Sequence, residues 1–370
     1  MPKIRNLINC TDELKSPEIR CRPQTCRRTA IDLFSGCGGL SLGLKQAGFR
    51  VVGAIDIDAL AVETYKLNHR CVKVIQKDIS KITARVLMDK LKLRPGDLDL
   101  LAGCPPCQGY SSIRTRNGRH TVHDSRNDLV FEFVRFVLAL RPRTVMMENV
   151  PRLADNSRME IIRKRLSNAG YTVQVRIIDA ADHGVPQRRR RMILLASLNG
   201  RVSFARPCPR KRTVRETIGR LAEPGLSNDL LHDFPENRSE SVIERIRRIP
   251  FDGGSRSCIP EADQLGCHQR RPDGFRDVYG RMKWDDVAPT ITGGCTNPSK
   301  GRFIHPQEHR AITMREAALL QSFPPQYQFS LRRGKEAASI MIGNALPPEL
   351  IRRHSRQIVK HLNARRILPE

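Results

Sequence analysis

Between residues 29 and 150, short apolar runs alternate with longer amphipathic ones, and this alternation is what most limits the fold. "TAIDLF" (29–34) leads through "SGCGGL" (35–40) into an amphipathic stretch ending at Gly48. "RVVGAID" (50–56), "DALAVETYKLNH" (58–69) and "VKVIQKD" (72–78) read as strand, helix and strand, and "LDLLAG" (98–103) as a fourth strand. "NDLVFEFVRFVLAL" (127–140) is apolar on most faces, so it is a buried helix, with Asn127 as its cap and Pro142 past its end. "TVMMENV" (144–150) is another buried strand. Strands alternating with helices imply an α/β fold, an open and mainly parallel sheet with helices on both faces. "YTVQVRIIDA" (171–180) and "RRMILLASL" (190–198) are expected to extend it as antiparallel strands.

In such a sheet, ligands bind outside the carboxyl ends of the strands. The loop after "IDLF", Asp56, Asp78, the Cys107 turn and Glu148 all fall at expected strand ends, on one edge. Glycines at 36, 38 and 39 allow a tight turn and a close approach of backbone to ligand. Asp56 is placed to bind a ribose hydroxyl pair, and Asp78 to accept from an adenine amino group. The full GxGxxG fingerprint is absent, because Ser41 stands where its last glycine would be. A compact adenosyl ligand is therefore favoured over a dinucleotide.

"GCPPCQGYSS" (103–112) admits a metal or redox CxxC pair, a catalytic thiol, or a turn that merely contains cysteine. No further ligands stand at zinc spacing, and no metal is expected. Redox pairs usually open helices, whereas Pro105 and Pro106 favour a stiff extended turn. A thiol held rigidly beside a cofactor loop suits a nucleophile, Cys107. Glu148 follows three apolar residues, Val145, Met146 and Met147, where an unpaired carboxylate would be costly to bury, so it faces a polar cleft or a partner. In "QRRRRMILL" (187–195), strand alternation sends Arg189 and Arg191 to one face and Arg188 and Arg190 to the other, so that one pair can meet Glu148 in the cleft while the other stays outside.

Charge adds a partner. Lys and Arg number 65 against 38 Asp and Glu, for a net charge of +27. Such an excess points to a polyanion, because each cation set on a phosphate releases condensed counterions. No secretory signal opens the chain and no apolar run approaches membrane-spanning length, so no membrane partner is expected. The 11 cysteines are scattered without framework spacing, which suggests reduced thiols in a cytoplasmic compartment. Residues 1–28 read as a basic extension, 29–199 as the cofactor-binding and catalytic domain, and 200–310, rich in Arg, Pro and Gly, as a smaller irregular domain. Helical periodicity returns in "TMREAALLQ" (313–321) and "PELIRRHSRQIVKHLNA" (348–364), within a C-terminal segment, 311–370.

"DLFSGCGG", "PPCQGYS", "ENV", "QRRRR", "REAALLQSFP" and "GNALPP" stand in the order seen in DNA cytosine-5 methyltransferases. The chain resembles that family from about residue 29 to about 363, the irregular domain excepted. The resemblance implies a Rossmann-like S-adenosylmethionine domain and a target-recognition domain over 200–310. It makes Cys107 the nucleophile that adds to carbon-6 of a flipped-out cytosine, and Glu148 the acid at ring nitrogen 3 and the exocyclic amine. It gives Arg191 the base oxygen and Arg189 the support of the carboxylate. It assigns Phe34, Gly36, Asp56, Asp78 and Asn344 to the cofactor, which brings the C-terminal helix back beside the first strand.

Gln108 and Ser111 beside the nucleophile, and Arg270, Arg271 and Arg276 in the irregular domain, are the expected contacts to double-stranded DNA. Leu319 stands where the family often has arginine, and Asp56 where it often has glutamate. The short chain suggests the bacterial modification type, a monomer acting at the nucleoid in the cytoplasm. A cognate restriction endonuclease would act on the same site without stable contact. Two rival readings are a tRNA-methylating relative and a DNA-binding relative without catalysis.

Overall fold

The computed structural model describes residues 28–106, 128–261, 264–270 and 277–364. Seven strands among them form one sheet: β1 (Thr29–Leu33), β2 (Arg50–Asp56), β3 (Lys73–Gln76), β4 (Leu100–Gly103), β5 (Thr144–Asn149), β6 (Thr172–Asp179) and β7 (Arg190–Ser197). Their spatial order is β3-β2-β1-β4-β5-β7-β6. β1 to β5 pair in parallel, and β7 is antiparallel to both β5 and β6. The two pairings that extend the sheet, β5–β7 and β6–β7, are antiparallel as expected, and β7 alone runs against the other strands. The sheet is the expected Rossmann-like one.

Period-two alternation builds a core on each face. Ile31, Leu33, Leu101, Val145, Met147 and Leu194 face α3 (Ala84–Leu91), α4 (Leu129–Leu140) and α5 (Ser157–Asn168). Their neighbours Ala30, Leu100, Ala102, Met146, Ile193 and Leu195 face α1 (Gly39–Gln46) and the C-terminal helix. Between α1 and α3, α2 (Ala59–Asn68) is capped by Asp58, whose Oδ1 accepts from Ala61 N at 2.8 Å. The alternation noticed in the sequence does not mark α3 or α5. Asn127, expected to cap α4, lies outside the described residues; Asp128 precedes the helix without capping it through its side chain.

Beyond β7 come α6 (Val214–Ile218), α7 (Glu240–Arg247), α8 (Gly266–Gln269), α9 (Met314–Leu320), α10 (Gly334–Asn344) and α11 (Pro348–Ala364). A capping box starts α9: Thr313 Oγ1 accepts from Glu316 N, and Glu316 Oε2 from Thr313 N. The boundary expected at residue 310 does not separate two cores. Val214, Ile218, Met282, Ala288, Ile291 and Phe303 pack with Met314, Ala317, Leu320 and Ile342 in one cluster. Leu319 is buried in the same cluster.

α11 does return to the first strand. A Cβ on Gly43 of α1 would lie 2.5 Å from Pro348 O, so glycine is what admits the helix this closely. At its far end, Asn363 Oδ1 accepts from Arg28 Nη2 at 2.7 Å, next to β1. Contrary to the expectation of reduced thiols throughout, the exposed Cys71 is disulfide-bonded. Cys37, Cys104, Cys208, Cys258, Cys267 and Cys295 are free. No helix among the described residues is long and apolar enough to cross a membrane.

Candidate active site

The chain leaves β1, goes outward to β2 and β3, then crosses back to β4 and β5 on the other side. The crevice where the order reverses is where an open α/β sheet binds ligands. A cleft of about 1320 Å³ opens there, lined by Phe34, Gly36, Asp56, Asp78, Glu148 and Asn344, with Arg189 and Arg191. Every cofactor residue expected from the sequence thus lines one cleft with three of the four expected catalytic residues.

The loop after β1 turns through left-handed backbone at Phe34 (φ 62°), Gly36 (φ 51°) and Gly38 (φ 97°). A Cβ on Gly36 would meet nothing within 4 Å, so there the conformation, not crowding, calls for glycine. Asp56, ending β2, holds this loop: Oδ2 accepts from Gly36 N at 2.7 Å, and Oδ1 from Asp58 N at 2.9 Å. Each oxygen keeps a lone pair for a hydroxyl donor. Burial pushes the Asp56 carboxyl up, against those two bonds. Asp78 Oδ1 accepts from Ser80 Oγ at 2.8 Å and Ser80 N at 3.0 Å, which holds its carboxyl below the usual range. Asn344, ending α10, is exposed into the cleft. A dihydroxy sugar and an amine-bearing ring would find acceptors at Asp56 and Asp78, so the residues fit an adenosyl cofactor.

The sequence reading passed over Asp32 in "TAIDLF". Its side chain is fully buried below the glycine loop, and Ser41 Oγ donates to Oδ2 at 2.7 Å. Oδ1 has no hydrogen-bond partner, and burial pushes the carboxyl up to about 7.

At the other end of the cleft, Gly103 of β4 pairs with Met147 of β5, so the next residues, Cys104 and Glu148, are neighbours on parallel strands. Cys104 Sγ lies 2.8 Å from Glu148 Oε2. Arg191 Nε lies 2.9 Å from Glu148 Oε1. Asn149 Nδ2 donates to Pro105 O at 3.0 Å and ties the proline turn to β5. The alternation in "QRRRR" holds: Arg188 and Arg190 are exposed, while Arg189 is buried and Arg191 faces Glu148.

The support of Glu148 expected of Arg189 comes from Arg191 instead. Arg189 reaches past the carboxylate and donates to Ile291 O at 3.0 Å and Gly343 O at 3.2 Å. It thereby joins the irregular segment to the turn that carries Asn344. Burial, with the nearby Arg191 charge, pulls its guanidinium below the usual arginine range. Gln187, also unassigned from sequence, donates to Gln321 Oε1 at 2.8 Å and accepts from Ile291 N at 3.0 Å.

Cys107, Gln108 and Ser111 lie outside the described residues, as do Arg271 and Arg276. Pro106, directly before Cys107, lines the cleft. Arg270, just after α8, is exposed. No group of three metal-ligating side chains occurs among the described residues.

The family model "C-5 cytosine-specific DNA methylase" matches residues 28–360. The Type II methylase M.HgiDII of Herpetosiphon aurantiacus is 36% identical over 345 residues, covering 90% of this chain and 95% of that protein. The Type II methyltransferase M1.HphI of Haemophilus parahaemolyticus is 33% identical over 340 residues, covering 90% and 87%. Among solved structures, one described as a DNA modification methyltransferase encoded within an E. coli prophage superimposes with a TM-score of 0.69. It is 26% identical and covers 91% of this chain and 99% of its own. With its cofactor-type cleft and the Glu148–Arg191 pair at the ends of β5 and β7, the chain belongs to the C-5 cytosine-specific DNA methylase family.

Proposed function

We propose that this DNA cytosine-5 methyltransferase methylates carbon-5 of a flipped-out cytosine in a specific duplex sequence, through a covalent adduct at Cys107. The observation that carries the reading is the buried Glu148 carboxylate, gripped by Arg191 at 2.9 Å in a cleft that Pro106 also lines. S-adenosylmethionine, held by Phe34, Gly36, Asp56, Asp78 and Asn344, supplies a methyl group on a sulfonium. The protein's own residues prepare the acceptor. Cys107 adds through Sγ to carbon-6, which makes carbon-5 enamine-like. Glu148 contacts ring nitrogen 3 and the exocyclic amine, and favours the charge that develops there. Arg191 holds the carboxylate and reaches the base oxygen. A base then takes the carbon-5 proton, the carbon-5–carbon-6 double bond re-forms, and the carbon-6–Sγ bond breaks to return the thiolate.

Target reading belongs to residues 200–310, with Arg270, Arg271 and Arg276 towards the bases or phosphates, and Gln108 and Ser111 beside the extruded base. Of these, Arg270 is exposed as a DNA contact requires. The protein works as a monomer in the cytoplasm, at the nucleoid. A restriction endonuclease for the same site shares the DNA and makes no stable contact. Transfer of labelled methyl to duplex DNA, and not to tRNA, is the expected result. Labelling of tRNA in preference to duplex DNA would overturn the reading. Exchange of 200–310 for that of another family member should change which cytosines are modified, with cofactor affinity kept.

A further inference from the structure

Glu148 has a side chain only 3% exposed, so its carboxylate depends on donors from the protein. Arg191 Nε approaches Oε1 at 2.9 Å as an ion pair without an aligned hydrogen bond. The aligned bond comes from Cys104, whose Sγ lies 2.8 Å from Oε2. Burial, then the Glu148 charge, pushes the Cys104 thiol well above its usual range, so it keeps its proton and can donate. The neighbouring strand ends set this contact, since Cys104 follows Gly103 and Glu148 follows its partner Met147. It also divides the CxxC: Cys104 faces the carboxylate and is spoken for.

We propose that Cys104 is a positioning residue, whose S–H fixes the Glu148 carboxylate in the orientation that meets the target base. The proposal rests on the function proposed above. Arg191 alone would fix one oxygen and leave the carboxylate plane to rotate, whereas the thiol fixes the second. A thiol is a weak donor, so an incoming exocyclic amine can compete for Oε2 without a large barrier. Cys104 itself touches no reacting atom.

The test uses the full chain with duplex substrate, and measures single-turnover methyl transfer, DNA KM and S-adenosylhomocysteine affinity. Cys104→Ala should lower the rate about tenfold, the scale of one hydrogen bond to a charged group. DNA KM and S-adenosylhomocysteine affinity should stay within about twofold, and Cys104→Ser should restore most of the rate. Combined with Glu148→Gln, Cys104→Ala should cost less than about twofold further, because its effect passes through the carboxylate.

An unchanged rate in Cys104→Ala, no rescue by serine, or the same tenfold loss beside Glu148→Gln would each overturn the proposal. So would loss of S-adenosylhomocysteine binding by Cys104→Ala, which would place the residue in loop packing. A wild type that transfers no methyl to duplex DNA would instead remove the underlying function, and the proposal with it.

Discussion

Arg191 Nε stands 2.9 Å from Glu148 Oε1, where two antiparallel strands bring an arginine and a carboxylate to one end of the sheet. Three residues earlier in sequence, Arg188 meets Asp286 at 3.4 Å, with both side chains about half exposed. The two pairs have different worth. Removing one partner of a buried pair strands the other charge, whereas an exposed pair is solvated with or without its partner. Arg191→Met should therefore destabilise the fold by about 2–3 kcal/mol, below the fully buried case because Arg191 keeps 18% exposure. Arg188→Met should cost less than about 0.5 kcal/mol. Urea unfolding of both variants checks this; equal losses would mean that Glu148 is solvated.

Gly43 tests how α11 is seated on α1. In an isolated helix, Gly→Ala would stabilise by about 1 kcal/mol. Here the new Cβ would fall 2.5 Å from Pro348 O and 2.6 Å from Ile351 Cβ, and a backbone oxygen cannot swing aside. Overpacking of this kind costs about 1–3 kcal/mol, so Gly43→Ala should lose stability on balance. A higher unfolding midpoint in the variant would mean that α11 does not pack this closely.

Much of the first half of the chain was readable because its strands are short apolar runs set between amphipathic stretches, and β1, β4 and β5 are almost wholly buried. β1, β2, β3, β4 and β5 all lie within the expected runs. α3 was missed although Ala84, Leu87, Met88 and Leu91 repeat at helical spacing and pack on the core, because its eight residues are short beside the neighbouring runs. Strand alternation split "QRRRR" into two pairs and the family resemblance chose Arg189 and Arg191 as the inward one, but the partner of each arginine did not follow from either. Arg189 finds its acceptors 102 and 154 residues away, at Ile291 and Gly343. The Cys104–Glu148 contact spans 44 residues and depends on strand register, which periodicity cannot supply. The shared core of Val214, Ile291, Met314 and Ile342 was illegible for the same reason, and the boundary drawn at 310 cut through it.

Asp32 gives a pH dependence whose sign is fixed. Its carboxyl sits near 3.8 in an exposed state and at about 7 in the folded protein, raised by burial. Between those values the unfolded chain has lost the proton and the folded chain keeps it. Folded stability from this group is therefore complete below about pH 4 and declines as pH rises through about 7. Asp32→Asn, which carries no such proton, should gain on the wild type between pH 5 and pH 8, by at most a few kcal/mol. Thermal or urea unfolding across that range checks it. Parallel curves for the two proteins would mean that Asp32 titrates alike folded and unfolded.

The central claim is the covalent role of Cys107, one of the two cysteines of "CPPC" (104–107). Duplex DNA carrying 5-fluorocytosine at the target retains fluorine where a proton must leave, so the adduct cannot resolve. Wild-type protein with S-adenosylmethionine should form a denaturant-resistant complex with this DNA, and peptide mapping should place the bond at Cys107. Cys107→Ser should form none and lose turnover, because a hydroxyl is a far weaker nucleophile, while it still binds S-adenosylhomocysteine. Trapping at Cys104, or methylation by the serine variant near the wild-type rate, would contradict the account.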